Sequence, residues 1–168
     1  MKTLILIGGP MGVGKSAASA ALQKLAPRNV WLDGDWCWKL EPFVVNEETK
    51  ALAMENITHL LGGFLRCTAI ETVIFSWVMD EQGILDALLA RLDLEGVRVV
   101  PISLVCAPET LAARLEGDVA RGARAADVIV RALERLPKYA ALGTRKLDTT
   151  ALTAEETAQR IAALAEIG

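Results

Sequence analysis

The chain has 168 residues, with 18 Lys and Arg against 21 Asp and Glu and a net charge of −3. That length suits one domain with a full-sized core, and the acidic balance excludes a nucleic-acid surface built on bulk basicity. No apolar run approaches the roughly 18 residues of a membrane span, and three scattered cysteines with a single histidine make neither a disulfide frame nor a zinc site.

The chain opens on "TLILIG" (3–8), apolar at nearly every position, as a strand covered on both faces of a parallel sheet is. "GPMGVGKS" (Gly9 to Ser16) follows, a full match to G-x-x-x-x-G-K-[ST] placed between that strand and a helical period over 15–25. Glycine is costly inside a helix or a strand. Here it lets successive N–H groups turn into one concavity, which with the positive end of the next helix holds a polyphosphate. Gly9, Gly12, Val13, Gly14, Lys15, Ser16 and Ala17 are therefore the expected nucleotide-binding residues. Lys15 is to reach the β- and γ-phosphates, and the Ser16 hydroxyl is to ligate Mg²⁺.

"NVWLD" (29–33) reads as the second strand and ends in Asp33-Gly34-Asp35, two carboxylates two residues apart. Open α/β sheets bind ligands at the edge where such strands end. The same residues also suit a plain strand-ending turn. A long helical period over about 47–69 follows, with a weak point at Gly62-Gly63. "TVIFSW" (72–77) is the third strand and ends in Ser76-Trp77 rather than in an acid, so no Walker-B-type Asp is evident. Asp80, a few residues on, is either a helix N-cap or an aid to the metal. A helix over 81–92 carries Ile84, Leu85, Leu88, Leu89 and Leu92 on one face.

"RVVPISLVC" (98–106) is the fourth strand, and helices over 109–118 and 125–136 surround a Gly-containing turn with Arg114, Arg121 and Arg124. Arg131 and Arg135, spaced i, i+4, are expected on an exposed face. Tyr139 is expected to be structural and His59 is not assigned to the site. "RKLDTT" (145–150) is the fifth strand. The last helix, 153–166, opens on "TAEE", a capping box with Thr153 as N-cap and Glu156 reaching back. Strand-helix alternation throughout predicts one α/β domain over 1–168 with a mainly parallel sheet.

On the loop Gly9 to Ser16, the acids Asp33 to Asp35 and the arginines Arg114 to Arg124, the chain resembles the small P-loop kinases. These include gluconate, adenylylsulfate and shikimate kinases and the chloramphenicol phosphotransferase. The resemblance implies a P-loop NTPase three-layer sandwich of about five strands, with an arginine-bearing lid over about 113–126. It implies ATP and Mg²⁺ as cofactors, Asp33 as the metal acid and Asp35 as base or positioner for an acceptor hydroxyl. Arg121 and Arg124 would stabilise the transferred group and Arg114 would bind the nucleotide. The same arginines also fit a solvated helix face.

An acceptor-covering segment is expected over about 36–70, with Trp36, Trp38, Trp77 and Arg66 as substrate-binding residues. Trp stacks on flat rings or sugar faces while its N–H finds a polar partner. The expected partner is a small molecule, with no nucleic acid and no membrane, for a cytoplasmic monomer or homodimer. The main expectation is a kinase acting on a small-molecule hydroxyl. A nucleoside or nucleotide kinase and an antibiotic phosphotransferase stay open. So does an ATP-binding switch or resistance protein with little transfer, of the kind to which tunicamycin-resistance proteins belong.

Overall fold

A computed structural model describes residues 1–167. Five strands, β1 (Lys2–Gly8), β2 (Asn29–Asp33), β3 (Thr72–Ser76), β4 (Val97–Val105) and β5 (Arg145–Asp148), form one sheet in the order β2-β3-β1-β4-β5. Every pairing is parallel; Ile7 lies opposite Ser76 on one side and Ile102 on the other. β1 is thus central, and its residues from Thr3 to Gly8 are all buried, as the unbroken apolar run requires.

Successive side chains of a strand point to opposite faces, and β1 divides its residues accordingly. Ile5 and Ile7 pack in a core with residues of α1 (Lys15–Gln23), α4 (Pro108–Ala120), α5 (Val128–Arg135) and α6 (Ala154–Ala165). Leu4 and Leu6 pack on the other face against α2 (Glu47–Arg66) and α3 (Gln82–Leu89). The result is the parallel α/β domain expected from the alternation of strands and helices, in the three-layer form that the family resemblance implies.

Several boundaries differ from the sequence reading, each for a local reason. α2 runs unbroken through Gly62-Gly63, because its buried stripe of Ala53, Ile57, Leu61 and Leu65 holds it to the sheet. α4 starts at Pro108, a residue suited to a first turn that needs no N–H donor. β5 stops at Asp148, whose side chain accepts the Thr150 N–H at 2.8 Å and the Thr150 hydroxyl at 2.6 Å, turning the chain out of the sheet. The capping box of α6 forms as read: the Thr153 hydroxyl accepts the Glu156 N–H at 3.1 Å, and Glu156 accepts the Thr153 N–H at 2.8 Å. Among the described residues no helix is long and apolar enough to cross a membrane.

Candidate active site

The glycine-rich loop sits at the C-terminal end of the central strand. Gly12 has φ 82°, and a Cβ there would stand 2.4 Å from Leu115 Cδ2, so only glycine fits between this turn and α4. Gly14 (φ 106°) precedes α1 and no side chain caps that helix. The first N–H groups of α1 therefore keep the donor capacity that an anion satisfies. Lys15 folds over the loop and donates to the Gly9 carbonyl at 2.7 Å and the Pro10 carbonyl at 2.9 Å. Burial lowers its pKa from the ordinary 10.5 to about 8, against the pull of Asp35 and Asp33 and with help from Arg124 and Arg135. A half-buried cation that donates only to carbonyls, beside uncapped helix N–H groups, fits a polyphosphate. Val13 itself is buried, and its carbonyl accepts Arg114 Nη1 at 3.1 Å, while Ala17 lines the cleft beyond the loop.

The second strand carries its acids to the same rim. Asp33 Oδ2 accepts the Ser16 hydroxyl at 3.2 Å, and Asp33 Oδ1 accepts the Asp35 N–H at 2.9 Å. That second bond caps a short 3₁₀ turn over Gly34–Trp38. Burial raises the Asp33 pKa, opposed by the Asp35 N–H, the Ser16 hydroxyl and the Lys15 charge, while the Asp35 charge adds to the rise. A hydroxyl and a carboxylate in contact are hard oxygen donors of the type Mg²⁺ takes, one or two protein groups with phosphates and water completing the shell. Ser16 and Asp33 fit that ion.

Asp35 is exposed to the cleft, and Oδ1 accepts the indole N–H of Trp77 at 3.2 Å. Trp77 in turn leaves no room at Gly34, where a Cβ would lie 2.4 Å from Trp77 Cγ. Trp36, Trp38 and Trp77 all line the cleft, whose volume is about 1420 Å³. Trp38 meets Phe43 and Trp77 edge-on at centroid distances of 5.1 and 6.1 Å, and its buried N–H has no partner. Trp36 packs on Trp31 at 4.9 Å.

The arginines divide into three groups. Arg114 is fixed, donating to the carbonyls of Val13 and Thr149 at 3.1 and 2.8 Å, and so joins the loop to the segment after β5. Arg121 and Arg124, between α4 and α5, both pair with Asp118, the second at 3.2 Å, and line the cleft. Arg131 is exposed at the mouth of the cleft, as expected, and pairs with Asp127 at 3.2 Å, whereas Arg135 is half-buried in the cleft and lies 3.7 Å from Asp80.

Asp80 corrects a second expectation. Glu81, not Asp80, precedes α3, and the buried Asp80 carboxylate takes both Arg135 and, at 3.5 Å, Lys138. The grouping of Asp80 with Arg135 and Lys138 exists only once the end of α5 meets the loop after β3, so the sequence does not announce it. Tyr139 is structural as expected: it is fully buried and its hydroxyl donates to the Val78 carbonyl at 2.7 Å, the same carbonyl that accepts the Gly9 N–H at 3.3 Å.

Arg66 does not belong to the site. It closes the C-terminal end of α2 and lines a small cavity with Lys2 and Val97, which start β1 and β4 at the opposite edge of the sheet. Twenty helical residues span about 30 Å, so a helix that begins near the cleft ends on the far side of the molecule. His59 is exposed on the same helix.

Comparison with known proteins agrees with this architecture. The Deinococcus radiodurans tunicamycin resistance protein superposes with a TM-score of 0.70 at 18% identity, covering 100% of this chain and 98% of that one. A gluconokinase from Sinorhizobium meliloti 1021 gives 0.65 at 20% identity, with 98% and 94% covered. The Mycobacterium tuberculosis APS kinase, solved with AMPPNP and APS, gives 0.64 at 12% identity, with 98% covered on both sides. A search of the curated proteins found no match. A family model described as an AAA domain matches residues 5–130, a stretch that takes in the loop, Asp33, Asp35, Arg114, Arg121 and Arg124. The chain therefore belongs to the AAA domain family, with the fold of the small P-loop kinases.

Proposed function

We propose that the protein is an ATP- and Mg²⁺-dependent kinase that moves the γ-phosphoryl group onto a hydroxyl of a small molecule. The observation that carries this reading is the 3.2 Å hydrogen bond from Ser16 to Asp33. It fixes the phosphate loop against the end of β2, two residues from a second acid that faces the cleft.

The loop N–H groups and Lys15 hold the polyphosphate, and Arg114 stiffens the loop from behind. Ser16 and Asp33 would hold Mg²⁺, which when bound neutralises phosphate charge. Asp35 orients the acceptor and takes its proton. The acceptor oxygen forms a bond to the γ-phosphorus, the bond from that phosphorus to the β,γ-bridging oxygen breaks, and ADP leaves with the electron pair. Arg121 and Arg124 exchange Asp118 for the transferred group as a lid closes, stabilising its charge and excluding water. An ATP-binding switch has no use for Asp35 in the cleft, which is why transfer is preferred. Nucleoside and antibiotic acceptors use the same machinery and remain within this reading. The test is ADP release under Mg·ATP across sugars, sugar acids, nucleosides and hydroxyl-bearing antibiotics. At least one acceptor is expected to raise it well above the acceptor-free rate.

A further inference from the structure

The two halves of the cleft differ in chemistry. On the phosphate side Lys15 and Arg114 donate to backbone carbonyls, leaving their charge uncompensated by any ion pair. Beyond Asp35 the cations are already matched. Arg135 and Lys138 share the buried Asp80 at 3.7 and 3.5 Å, Lys138 also reaches Glu81 at 3.6 Å, and Lys50 is held by Glu47 at 3.0 Å. Among the described residues that line this half, Lys39 is the one cation without an acidic partner.

The walls of the same half are aromatic and aliphatic. Trp36 is 55% exposed, Phe43 58% and Val45 55%, all three on the 3₁₀ turn or the loop that follows it. Trp38, edge-on to Phe43 and Trp77, continues this wall to the Asp35 carboxylate, which Trp77 binds. Apolar side chains as exposed as these, converging on one cleft, mark a ligand surface. Trp38 adds a buried N–H donor without a partner beside Phe43 and Trp77.

We infer that the acceptor is an uncharged, ring-bearing alcohol whose flat face lies on Trp36 and Phe43 while its hydroxyl meets Asp35. An anionic acceptor needs a free guanidinium or ammonium at its carboxylate, sulfate or phosphate. Here Arg135 and Lys138 are already engaged by the buried Asp80, so an anion that draws on either gives up an existing ion pair, and Lys39, the one cation without an acidic partner, is exposed. An aromatic wall, by contrast, gains from a flat partner beyond simple area burial. This inference rests on reading Asp35 as the acid that faces the acceptor hydroxyl.

The test uses the full chain loaded with Mg·AMPPNP and tryptophan fluorescence as the binding signal. The probes are phenyl β-D-glucoside and uridine as neutral ring alcohols, D-gluconate and shikimate as anions, and glycerol as a neutral alcohol without a ring. At least one ring alcohol is expected to bind about tenfold tighter than the anions and glycerol, and Trp36→Ala to weaken it about tenfold. The melting shift with Mg·AMPPNP reports that the variant is folded, and Phe43→Leu provides a second, milder change in the same wall. Tighter binding of an anion, no binding of either ring alcohol, or unchanged binding by both variants overturns the inference. ADP release measured alongside separates the two claims. Ring alcohols that bind without ADP release support the acceptor class and count against transfer, whereas release driven only by gluconate supports transfer and overturns the acceptor class.

Discussion

Trp77 donates its indole N–H to Asp35 across 3.2 Å, so the carboxylate at the cleft is held by the residue that follows β3. Trp77→Phe keeps the ring and removes that bond. A lost hydrogen bond to a charged group is worth about 1.5–3 kcal/mol, and here its effect falls on orientation. Acceptor phosphorylation is expected to drop by about tenfold in kcat with a smaller change in acceptor KM, while the Mg·ATP melting shift is retained. Steady-state kinetics and a thermal melt check this together.

Gly34 is the other side of the same arrangement. A methyl group there meets the Trp77 ring at 2.4 Å and forces it to move. Gly34→Ala is expected to lower stability by about 1–3 kcal/mol, measured by urea unfolding. It should also reproduce the catalytic defect of Trp77→Phe. A variant as stable and active as the parent would show that the indole has room to spare.

Asp35→Asn leaves the shape of the cleft and removes the proton acceptor. Transfer is expected to fall by about 10² or more, the usual contribution of a positioned base, while ATP affinity by calorimetry stays within a few-fold. Undiminished turnover removes Asp35 from the mechanism.

Lys15 gives the nucleotide site a pH dependence whose sign is fixed by the free protein. Burial holds its pKa near about 8. Bound phosphates favour the charged amine and raise that value, so binding takes up a proton in the interval between the two pKa values. Nucleotide affinity should therefore fall as pH rises above about 8, by up to tenfold per unit. Titration in two buffers of different ionisation enthalpy reads the proton uptake directly. Affinity that is flat from about pH 7.5 to 9.5 contradicts the placement of Lys15 on the phosphates.

Tyr139→Phe separates a structural role from a catalytic one. Its hydroxyl shares the Val78 carbonyl with the Gly9 N–H, joining the segment that follows α5 to the start of the loop. Loss of about 1 kcal/mol of stability is expected, with kcat nearly unchanged.

Local chemistry made much of this legible in the sequence. The phosphate loop declares itself because its glycines, its lysine and its position after a buried strand arise from one backbone shape, and β1, α1 and the α6 capping box are equally local. What escaped the sequence depends on tertiary placement. Arg135 has the spacing of a solvated ion-pair face, and only the tertiary fold brings the end of α5 to Asp80 in the loop after β3. Arg66 ends away from the cleft because it closes a twenty-residue helix, and the sequence of an acceptor-covering segment does not show which end of that helix faces the cleft. The compensation of the inner cations by Asp80 is likewise a property of the folded cleft, and no motif announces it.

Phosphorus NMR of the protein with Mg·ATP and a panel of hydroxyl-bearing acceptors tests phosphoryl transfer most directly. A new phosphomonoester resonance growing in step with ADP, and absent in Asp35→Asn, is the expected result. Inorganic phosphate as the sole product with every acceptor, or product formed equally well without the Asp35 carboxylate, would contradict the kinase assignment.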